Sequence, residues 1–438
     1  MAYAVGLLVL VVGLLVSIAL HEVGHMVPAK RFGVRVSQYM VGFGPTLWSR
    51  TRGETEYGVK AIPLGGYVRL VGMFPPAHVV GAPRRTGRLA ELVDAAREAS
   101  AEEIRPGEDH RAFYRLSTPK KLVVMLGGPV MNLLLAVALV ALTFLGTGLP
   151  GATTTVATVG ECVLPPDAGP DTACGPEDAP APASLAGLRE GDRLVSYAGV
   201  PTERWADFQA AVRSAGAEDL TLVVERDGRE VALDVSPVLA ERPVFDEVGR
   251  PVVDDDGDPV LATTPYVGLA PTVGMVRLPA ADVLPFTWDV VRQTVGVVAT
   301  LPARMVELVQ ATFGGAERDA SGVVGLVGVG RFAGEIAAEG SADLGVTYQV
   351  ARFLLLLASL NVALFAFNLI PLPPLDGGHV AGALWEGGRR QVARLRGRPR
   401  PAPADVARLM PLTYGVFIAL VGMGLLLVYA DIVRPVTL

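Results

Sequence analysis

Four long apolar runs constrain this chain more than any other feature of its sequence. They cover residues 3–20, 122–149, 353–370 and 412–430, and the first continues to residue 28. A helix needs roughly 20 apolar residues to cross the hydrocarbon core of a bilayer. The chain as a whole is 51% hydrophobic and only 19% charged, which is too apolar for an ordinary soluble protein. We therefore predict a polytopic α-helical membrane protein with four transmembrane helices.

The loops between these runs set the orientation of the protein. About sixteen Lys and Arg separate the first two runs, and an arginine-rich loop at residues 389–400 separates the last two. Cytoplasmic loops carry an excess of such residues, so we expect both loops in the cytoplasm and both termini outside. The first run lacks a basic stretch before it and a small-residue cleavage pattern after it, and we expect it to be retained. The net charge of −6 gives no reason to expect nucleic-acid binding.

The long acidic segment between the second and third runs contains a recognisable soluble unit. Its pattern is a Gly187–Asp192 turn, a strand, a helix over residues 205–215 and two strands joined at Asp227-Gly228. This order resembles a PDZ domain of the bacterial protease type, covering residues 152–240 with an added strand at 266–270. Such a domain binds chain ends or extended peptides by adding a strand to its sheet. A small α/β domain without a ligand is the alternative.

Residues 276–350 follow this unit and contain an amphipathic segment. The stretch 283–313 mixes apolar side chains with the charged residues Asp282, which immediately precedes it, Asp289, Arg292, Arg304 and Glu307. We predict an amphipathic helix that lies along the outer membrane surface. A soluble helix packed on the PDZ-like domain is an equally acceptable interpretation.

The motif His21-Glu22-Val23-Gly24-His25 ends the first apolar run. Residues four apart share one face of a helix, so both imidazoles can bind one metal ion. Glu22 is adjacent to the first ligand and is placed to take a proton from a water at the metal. Zinc lowers the pKa of such a water to about 7, and three protein ligands leave the fourth position open for it. Ionisable groups in a membrane span are costly and are candidates for function.

A third ligand is expected from the third apolar run, which ends in Asn368-Leu-Ile-Pro-Leu-Pro-Pro-Leu-Asp376-Gly-Gly-His379. Its prolines break the helix, and non-helical backbone at membrane depth is tolerated only where protein or a watery cavity surrounds it. Asp376 needs a partner in such a place, and zinc supplies one. The alternative is an Asp that caps the next helix. We expect His379 to be structural rather than a fourth ligand, because a fourth protein ligand would close the water position.

The HEVGH motif, the segment 368–377 and the PDZ-like unit between them resemble the site-2 protease family of intramembrane zinc metalloproteases, in its bacterial RseP-like branch. The pieces 42–45, 62–67 and 127–132 match as well, so the resemblance covers nearly the whole chain. It implies a Zn²⁺ cofactor bound by His21, His25 and Asp376, with Glu22 as the general base. It also implies that Asn368 holds the substrate backbone or the oxyanion.

The resemblance further implies that residues 57–70 form a membrane re-entrant β-hairpin that presents a strand edge to substrate. Gly65 and Gly66 would make the turn of this hairpin and allow close approach of the substrate; a plain turn is the alternative. Implied substrates are single-span membrane proteins already trimmed outside, such as anti-sigma factors, and remnant signal peptides. The implied location is the bacterial cytoplasmic membrane.

This chain departs from the best-known members of the family in two ways. It carries one PDZ domain where they carry two, and it has an insertion at residues 162–184 that contains Cys162 and Cys174. Two cysteines are too few for a disulfide scaffold or a cysteine-based zinc site. Because disulfides persist outside the cytoplasm, we predict that these two pair.

The resulting domain assignment has eight parts. They are a first transmembrane helix with the HExxH motif (1–29), a cytoplasmic and re-entrant β region with a basic loop (30–120), a second transmembrane helix (121–150), a PDZ domain (151–275), an amphipathic membrane-surface region (276–350), a third transmembrane segment (351–380), a basic cytoplasmic loop (381–410) and a fourth transmembrane helix (411–438).

Two other functions compete with an intramembrane zinc endopeptidase. A non-enzymatic membrane scaffold would use its PDZ domain to hold partners, but it has no need of both the ligand types and the base. A metal transporter would need several intramembrane acidic or histidine side chains along a path, whereas the sequence shows one such site.

Overall fold

The computed structural model divides the chain into two compact units. One comprises Met1–Gly146, Pro279–Ser341 and Gln349–Leu438, and the other comprises Thr147–Leu278 and Ala342–Tyr348. The structure describes residues 1–81, 87–166, 168, 172–244, 252–254, 259–314, 323–338 and 344–435. The insertion at 162–184 therefore lies partly outside the described residues.

Eleven helices are found in the described parts of the chain. In chain order they are α1 (Ala2–Arg31), α2 (Ala77–Val80), α3 (Arg88–Glu102), α4 (Thr118–Leu142), α5 (Pro182–Leu185), α6 (Trp205–Ala215), α7 (Val283–Phe313), α8 (Leu326–Ala338), α9 (Gly345–Asn368), α10 (Asp376–Leu395) and α11 (Met410–Val433).

Four helical stretches in the described residues are long and apolar enough to cross a membrane. They are Ala2–Arg31, Thr118–Thr147, Gly345–Asn368 and Val406–Val433. Each contains most of one of the four apolar runs, so the prediction of four candidate spans is confirmed. The third begins at Gly345, earlier than the apolar run alone indicated, because the helix also includes the more polar residues that precede the run.

Helix α7 has the bounds expected from its amphipathic pattern. It packs against spanning helices: Val291 lies in a cluster with Ala136 and Val362, and Leu308 lies in another with Leu427. This packing differs from the alternative in which the helix rests on the soluble domain. Its position along the membrane surface stays a prediction. The helices α3 and α8 were not predicted.

The residues between α1 and α2 form two long antiparallel strands, β1 (Val36–Arg52) and β2 (Thr55–Leu70), joined at Gly53-Glu54. Two hydrogen bonds join the sheet to α1. The Tyr39 hydroxyl donates to the Ala19 carbonyl at 2.8 Å, and the Lys30 ammonium donates to the Tyr57 hydroxyl at 2.8 Å. The β segment therefore lies against the helix that carries the HExxH motif.

The pairing register corrects the predicted hairpin at residues 57–70. Tyr39 lies opposite Val68 and also opposite Tyr57. A strand residue has one neighbour on each side, so the two parts of β2 flank the first part of β1 instead of pairing with each other. The chain still reverses near Gly65-Gly66, but its arms are separated by a strand contributed from earlier in the sequence.

The strands of the second unit are β3 (Leu149–Val159), β4 (Arg193–Tyr197), β5 (Val200–Pro201), β6 (Leu220–Arg226), β7 (Arg229–Val235), β8 (Val238–Pro243), β9 (Leu261–Tyr266) and β10 (Leu269–Val276). They form a sheet with strand order β10-β3-β4-β6-β7, in which β5 pairs with β4, and a separate β8–β9 pair. Helix α6 packs Phe208 and Val212 into the core formed by Leu194, Tyr197 and Leu222.

A disulfide joins Cys162 to Cys174, with an S–S distance of 2.03 Å. In the same unit, Asp192 is buried and is bound by the Arg226 guanidinium and by the backbone N–H of Arg189. Burial opposes ionisation of Asp192, but these donors outweigh it and hold the pKa of this carboxyl below its ordinary value.

A buried ion pair joins α4 to α10. The Lys121 ammonium lies 2.8 Å from the Glu386 carboxylate, and both side chains are almost inaccessible to solvent. The same carboxylate accepts from Arg390 at 2.7 Å and from the backbone N–H of Ala404 at 2.8 Å. Because α10 begins at Asp376, these contacts hold the helix that carries the expected third ligand.

Candidate metal centre

Helix α1 carries His21, Glu22 and His25 in its last turns, which end at Arg31. The two histidines are four residues apart, so their rings lie on one face, and both are buried. The His25 Nδ1 lies 2.7 Å from the Val124 carbonyl oxygen on α4. A carbonyl only accepts, so Nδ1 carries the proton and the lone pair of Nε2 is free to bind a metal.

Asp376 joins the two histidines at the first residue of α10. The segment between Asn368 and Asp376 turns tightly around the start of this helix, and the two glycines after Asp376 permit that turn. A Cβ on Gly377 would lie 2.2 Å from the Ile370 carbonyl oxygen, and one on Gly378 would lie 2.6 Å from the Pro373 nitrogen. Only glycine fits at either position, so the Asp-Gly-Gly run fixes where the Asp376 carboxylate points.

Three ligand atoms meet at the resulting centre. His21 Nε2 and His25 Nε2 are 3.2 Å apart, and Asp376 Oδ2 lies 3.3 Å from the first and 3.2 Å from the second. Zinc bonds of roughly 2.0–2.1 Å in a tetrahedron place neighbouring ligand atoms about 3.3 Å apart. Asp376 Oδ2 is buried and meets neither ring with hydrogen-bond geometry. The donor set and its spacing therefore fit a zinc ion with one position left open.

Helix α4 passes directly beside this centre. A Cβ on Gly24 would lie 2.2 Å from the Gly127 carbonyl oxygen, so the backbones of α1 and α4 are in contact. A Cβ on Gly128 would lie 2.2 Å from His25 Nε2 and 2.7 Å from His21 Nε2. The Gly-Gly pair of α4 therefore makes room for the imidazoles. The sequence of the 127–132 motif alone does not indicate this role.

Glu22 lies between the centre and the β sheet. It is 9% exposed, is close enough to His21, His25 and Asp376 to interact with them electrostatically, and accepts a hydrogen bond from the Val68 backbone N–H. A Cβ on Gly66 would lie 3.1 Å from the Glu22 Cγ. The edge of β2 that faces away from β1 is thus adjacent to Glu22, a contact that no local sequence pattern indicated.

Asn368, Gly65 and His379 are the other candidate residues. Asn368 is the last residue of α9 and is half-buried. Gly65 has a φ of 122°, and a Cβ there would lie 2.5 Å from the Phe43 ring. His379, one turn beyond Asp376, is not among the three clustered ligands in the described part of the chain.

Comparison with known proteins gives a consistent result. The model of peptidase family M50 matches residues 9–410. The zinc metalloprotease Rip1 of Mycobacterium bovis is 36% identical over 447 residues, covering 100% of both chains, and Rip1 of Mycolicibacterium smegmatis is 34% identical with the same coverage. The zinc metalloprotease RasP of Oceanobacillus iheyensis is 26% identical, covering 85% of this chain and 88% of its own.

Proposed function

This chain belongs to peptidase family M50, the site-2 proteases, and is a multi-pass membrane zinc metalloprotease; from this premise we propose that it hydrolyses peptide bonds within transmembrane segments. His21, His25 and Asp376 would bind the zinc, and Glu22 would be the general base. The observation that carries this proposal is the triangle of three ligand atoms, with edges of 3.2–3.3 Å, beside a buried carboxylate. A non-enzymatic scaffold would need neither the three ligand atoms nor the buried carboxylate beside them.

The chemistry divides between the metal and the protein. When bound, zinc polarises the scissile carbonyl and lowers the pKa of water at the site to about 7. Glu22 takes a proton from the attacking water and delivers it to the leaving amine. The Val68 N–H holds one face of the Glu22 carboxylate, so the base is oriented before substrate arrives. Asn368 would hold the substrate backbone or the oxyanion.

The same proposal requires that substrate be drawn out of its helix, because a helix uses its carbonyls in internal hydrogen bonds. We assign the template to the edge of β2 at residues 65–68, in a sheet that re-enters the membrane. In the described part of the chain this edge has no neighbouring strand, and an unpaired edge accepts an added strand. Gly65 and Gly66 would allow the substrate backbone to come close.

Proline substitution tests this template. Val68→Pro should lower cleavage severely and leave zinc binding intact, because it distorts the edge proposed to receive the substrate strand and also removes the N–H that orients Glu22. Val59 lies opposite both Val41 and Trp48, so Val59→Pro should instead lower the folded yield. A well-folded, zinc-loaded Val68→Pro protein with full activity would exclude the template.

For the second unit we propose a PDZ domain that binds the exposed chain end of a trimmed substrate. Strands β10 and β7 end the strand order of the described sheet, so both outer edges are open to an added strand, and we assign the substrate to β10. The test is photo-crosslinking from position Thr272 on β10, with position Arg229 on β7 as the control. Substrate captured equally from both positions would contradict the assignment.

The charges of the loops support a topology with both termini outside, in the cytoplasmic membrane of a bacterium. A single cysteine introduced at position 395 should be labelled only from the cytoplasm, and one at Gly228 only from outside, in a Cys162→Ser, Cys174→Ser background. The reverse pattern would overturn the topology.

We propose single-span membrane proteins already trimmed outside, such as anti-sigma factors, as substrates, with remnant signal peptides as a second class. Quantitative membrane proteomics comparing the wild-type protein with Glu22→Gln tests this directly. Trimmed single-span fragments should accumulate in the Glu22→Gln cells. An unchanged population of such fragments would reject both classes.

A further inference from the structure

Asn132 has a fully buried side chain in the second spanning helix, with no partner among the residues that the structure describes. It is 0% exposed, and neither its Oδ1 nor its Nδ2 makes a hydrogen bond. An unsatisfied polar group in an apolar interior is destabilising, and polar groups in membrane spans usually have a function. We therefore expect the Asn132 amide to have a function that offsets this destabilisation.

The position of Asn132 on α4 indicates what it can reach. Val124 accepts from His25 Nδ1, and four residues further on Gly128 abuts the rings of both histidines. Along α4 the contacts therefore move from His25 towards His21, because α1 runs in the opposite direction. Asn132 is four residues beyond Gly128 on the same face, which places it on the His21 side of the centre.

His21 lacks the contact that His25 has. Its Nδ1 is buried and has no hydrogen-bond partner in the described ranges of the chain, whereas His25 Nδ1 donates to a carbonyl at 2.7 Å. A metal-binding histidine almost always donates its second ring N–H to an oxygen, which fixes the tautomer and the ring orientation. Around His21 the missing element is thus an acceptor.

We propose that Asn132 is a positioning residue whose Oδ1, unpaired in this structure, becomes the acceptor of the His21 Nδ1–H when the metal binds, so that Nε2 is held towards the metal. This inference rests on the proposed zinc ligands. It pairs one buried donor with one buried acceptor and gives the 127–132 motif two roles: its glycines admit the rings, and its asparagine orients one of them.

A second buried asparagine serves as the comparison. Asn361 on α9 is also 0% exposed, but its amide donates to Ser17 Oγ at 2.9 Å and to the Leu357 carbonyl at 2.8 Å. It is therefore already held at the turn of α1 that precedes His21. Replacing it removes the same chemical group from the same helical bundle.

The test measures zinc affinity of the full chain in detergent by competition with a chromophoric chelator. Asn132→Leu should bind zinc 10–100-fold more weakly, the loss typical of a missing histidine partner. Asn132→Asp should keep near wild-type affinity because a carboxylate also accepts, and Asn361→Leu should keep it because His21 is untouched. If Asn132→Leu does not fold, Asn132→Ser replaces it with the same expectation.

Each contrary result has a distinct meaning. Unchanged zinc affinity in folded Asn132→Leu overturns the proposal, and a rise in KM alone would show that the amide binds substrate instead. Equal losses in Asn132→Leu and Asn361→Leu would indicate general loosening of the bundle and also overturn it. Failure of the proposed zinc site itself would appear differently, as wild-type zinc affinity in His25→Ala.

Discussion

Replacing Gly128 by alanine should disable the metal centre through one added methyl group. The new Cβ would lie 2.2 Å from His25 Nε2 and 2.7 Å from His21 Nε2. Ordinary carbon–nitrogen contact is about 3.5 Å, so the His25 ring would have to move by about 1 Å. Both imidazoles are buried, and the α1 and α4 backbones already touch at Gly24 and Gly127, so neither helix can retreat.

A displacement of about 1 Å in a catalytic group costs on the order of 10²-fold in rate. We therefore expect Gly128→Ala to lower cleavage of a model spanning substrate by about that factor and to weaken zinc binding. The assay is cleavage in proteoliposomes, together with metal analysis of the same protein.

The matched control is Gly422→Ala, in the middle of α11. A Cβ there meets nothing within 4 Å, and alanine in a helix interior is favoured over glycine by up to about 1 kcal/mol. This variant should fold and cleave normally. If Gly128→Ala also bound zinc and cleaved at the control's rate, the close approach of α4 to the histidines would be refuted.

Three further perturbations test other parts of the structure. Glu386→Gln leaves the buried Lys121 ammonium without its counter-charge and should destabilise the fold by about 3–5 kcal/mol, measured by thermal unfolding in detergent; an unchanged midpoint would contradict the buried pair. Replacing Cys162 and Cys174 by serine opens a loop with a sequence separation of 12 and should cost the second unit about 3 kcal/mol, while activity should survive; resistance to proteolysis reports the loss, and equal resistance would refute it. The pKa of Asp192 is lower in the folded protein than in the unfolded chain. The ionised carboxylate therefore stabilises the fold fully above the unfolded pKa of about 3.9, and this stabilisation disappears as the pH falls below it. The free energy of unfolding of the Asp192→Asn variant should accordingly fall less steeply with acid than that of wild type.

The sequence predicted those features that depend on local spacing. His21 and His25 are one helical turn apart, so any helix through them brings the rings together. The four spans follow from run length alone. Local spacing could not predict that Asp376 lies beside the histidines, because 350 residues separate it from His25. That prediction came from the prolines that precede Asp376 and from the family resemblance.

Features that depend on contact between distant segments were not predictable in the same way. Residues 57–70 contain two strand-like arms around Gly65-Gly66, and nothing in that pattern reveals that Tyr39 lies between them. The neighbours of the α4 glycines could not be predicted either, because a Gly-Gly pair in a span indicates close approach but does not identify the segment that approaches. Helix α8 was not predicted because its apolar, glycine-rich sequence has a low helix propensity.

The central claim is that Glu22 acts as the base at a zinc centre made by its two neighbouring histidines and Asp376. The most direct measurement compares purified wild type and Glu22→Gln for bound zinc and for cleavage of one spanning substrate in the same vesicles. Because the substitution removes the base and none of the ligands, zinc content should be unchanged and cleavage should fall by about 10²–10⁴-fold. Cleavage by zinc-loaded Glu22→Gln at the wild-type rate would contradict the account.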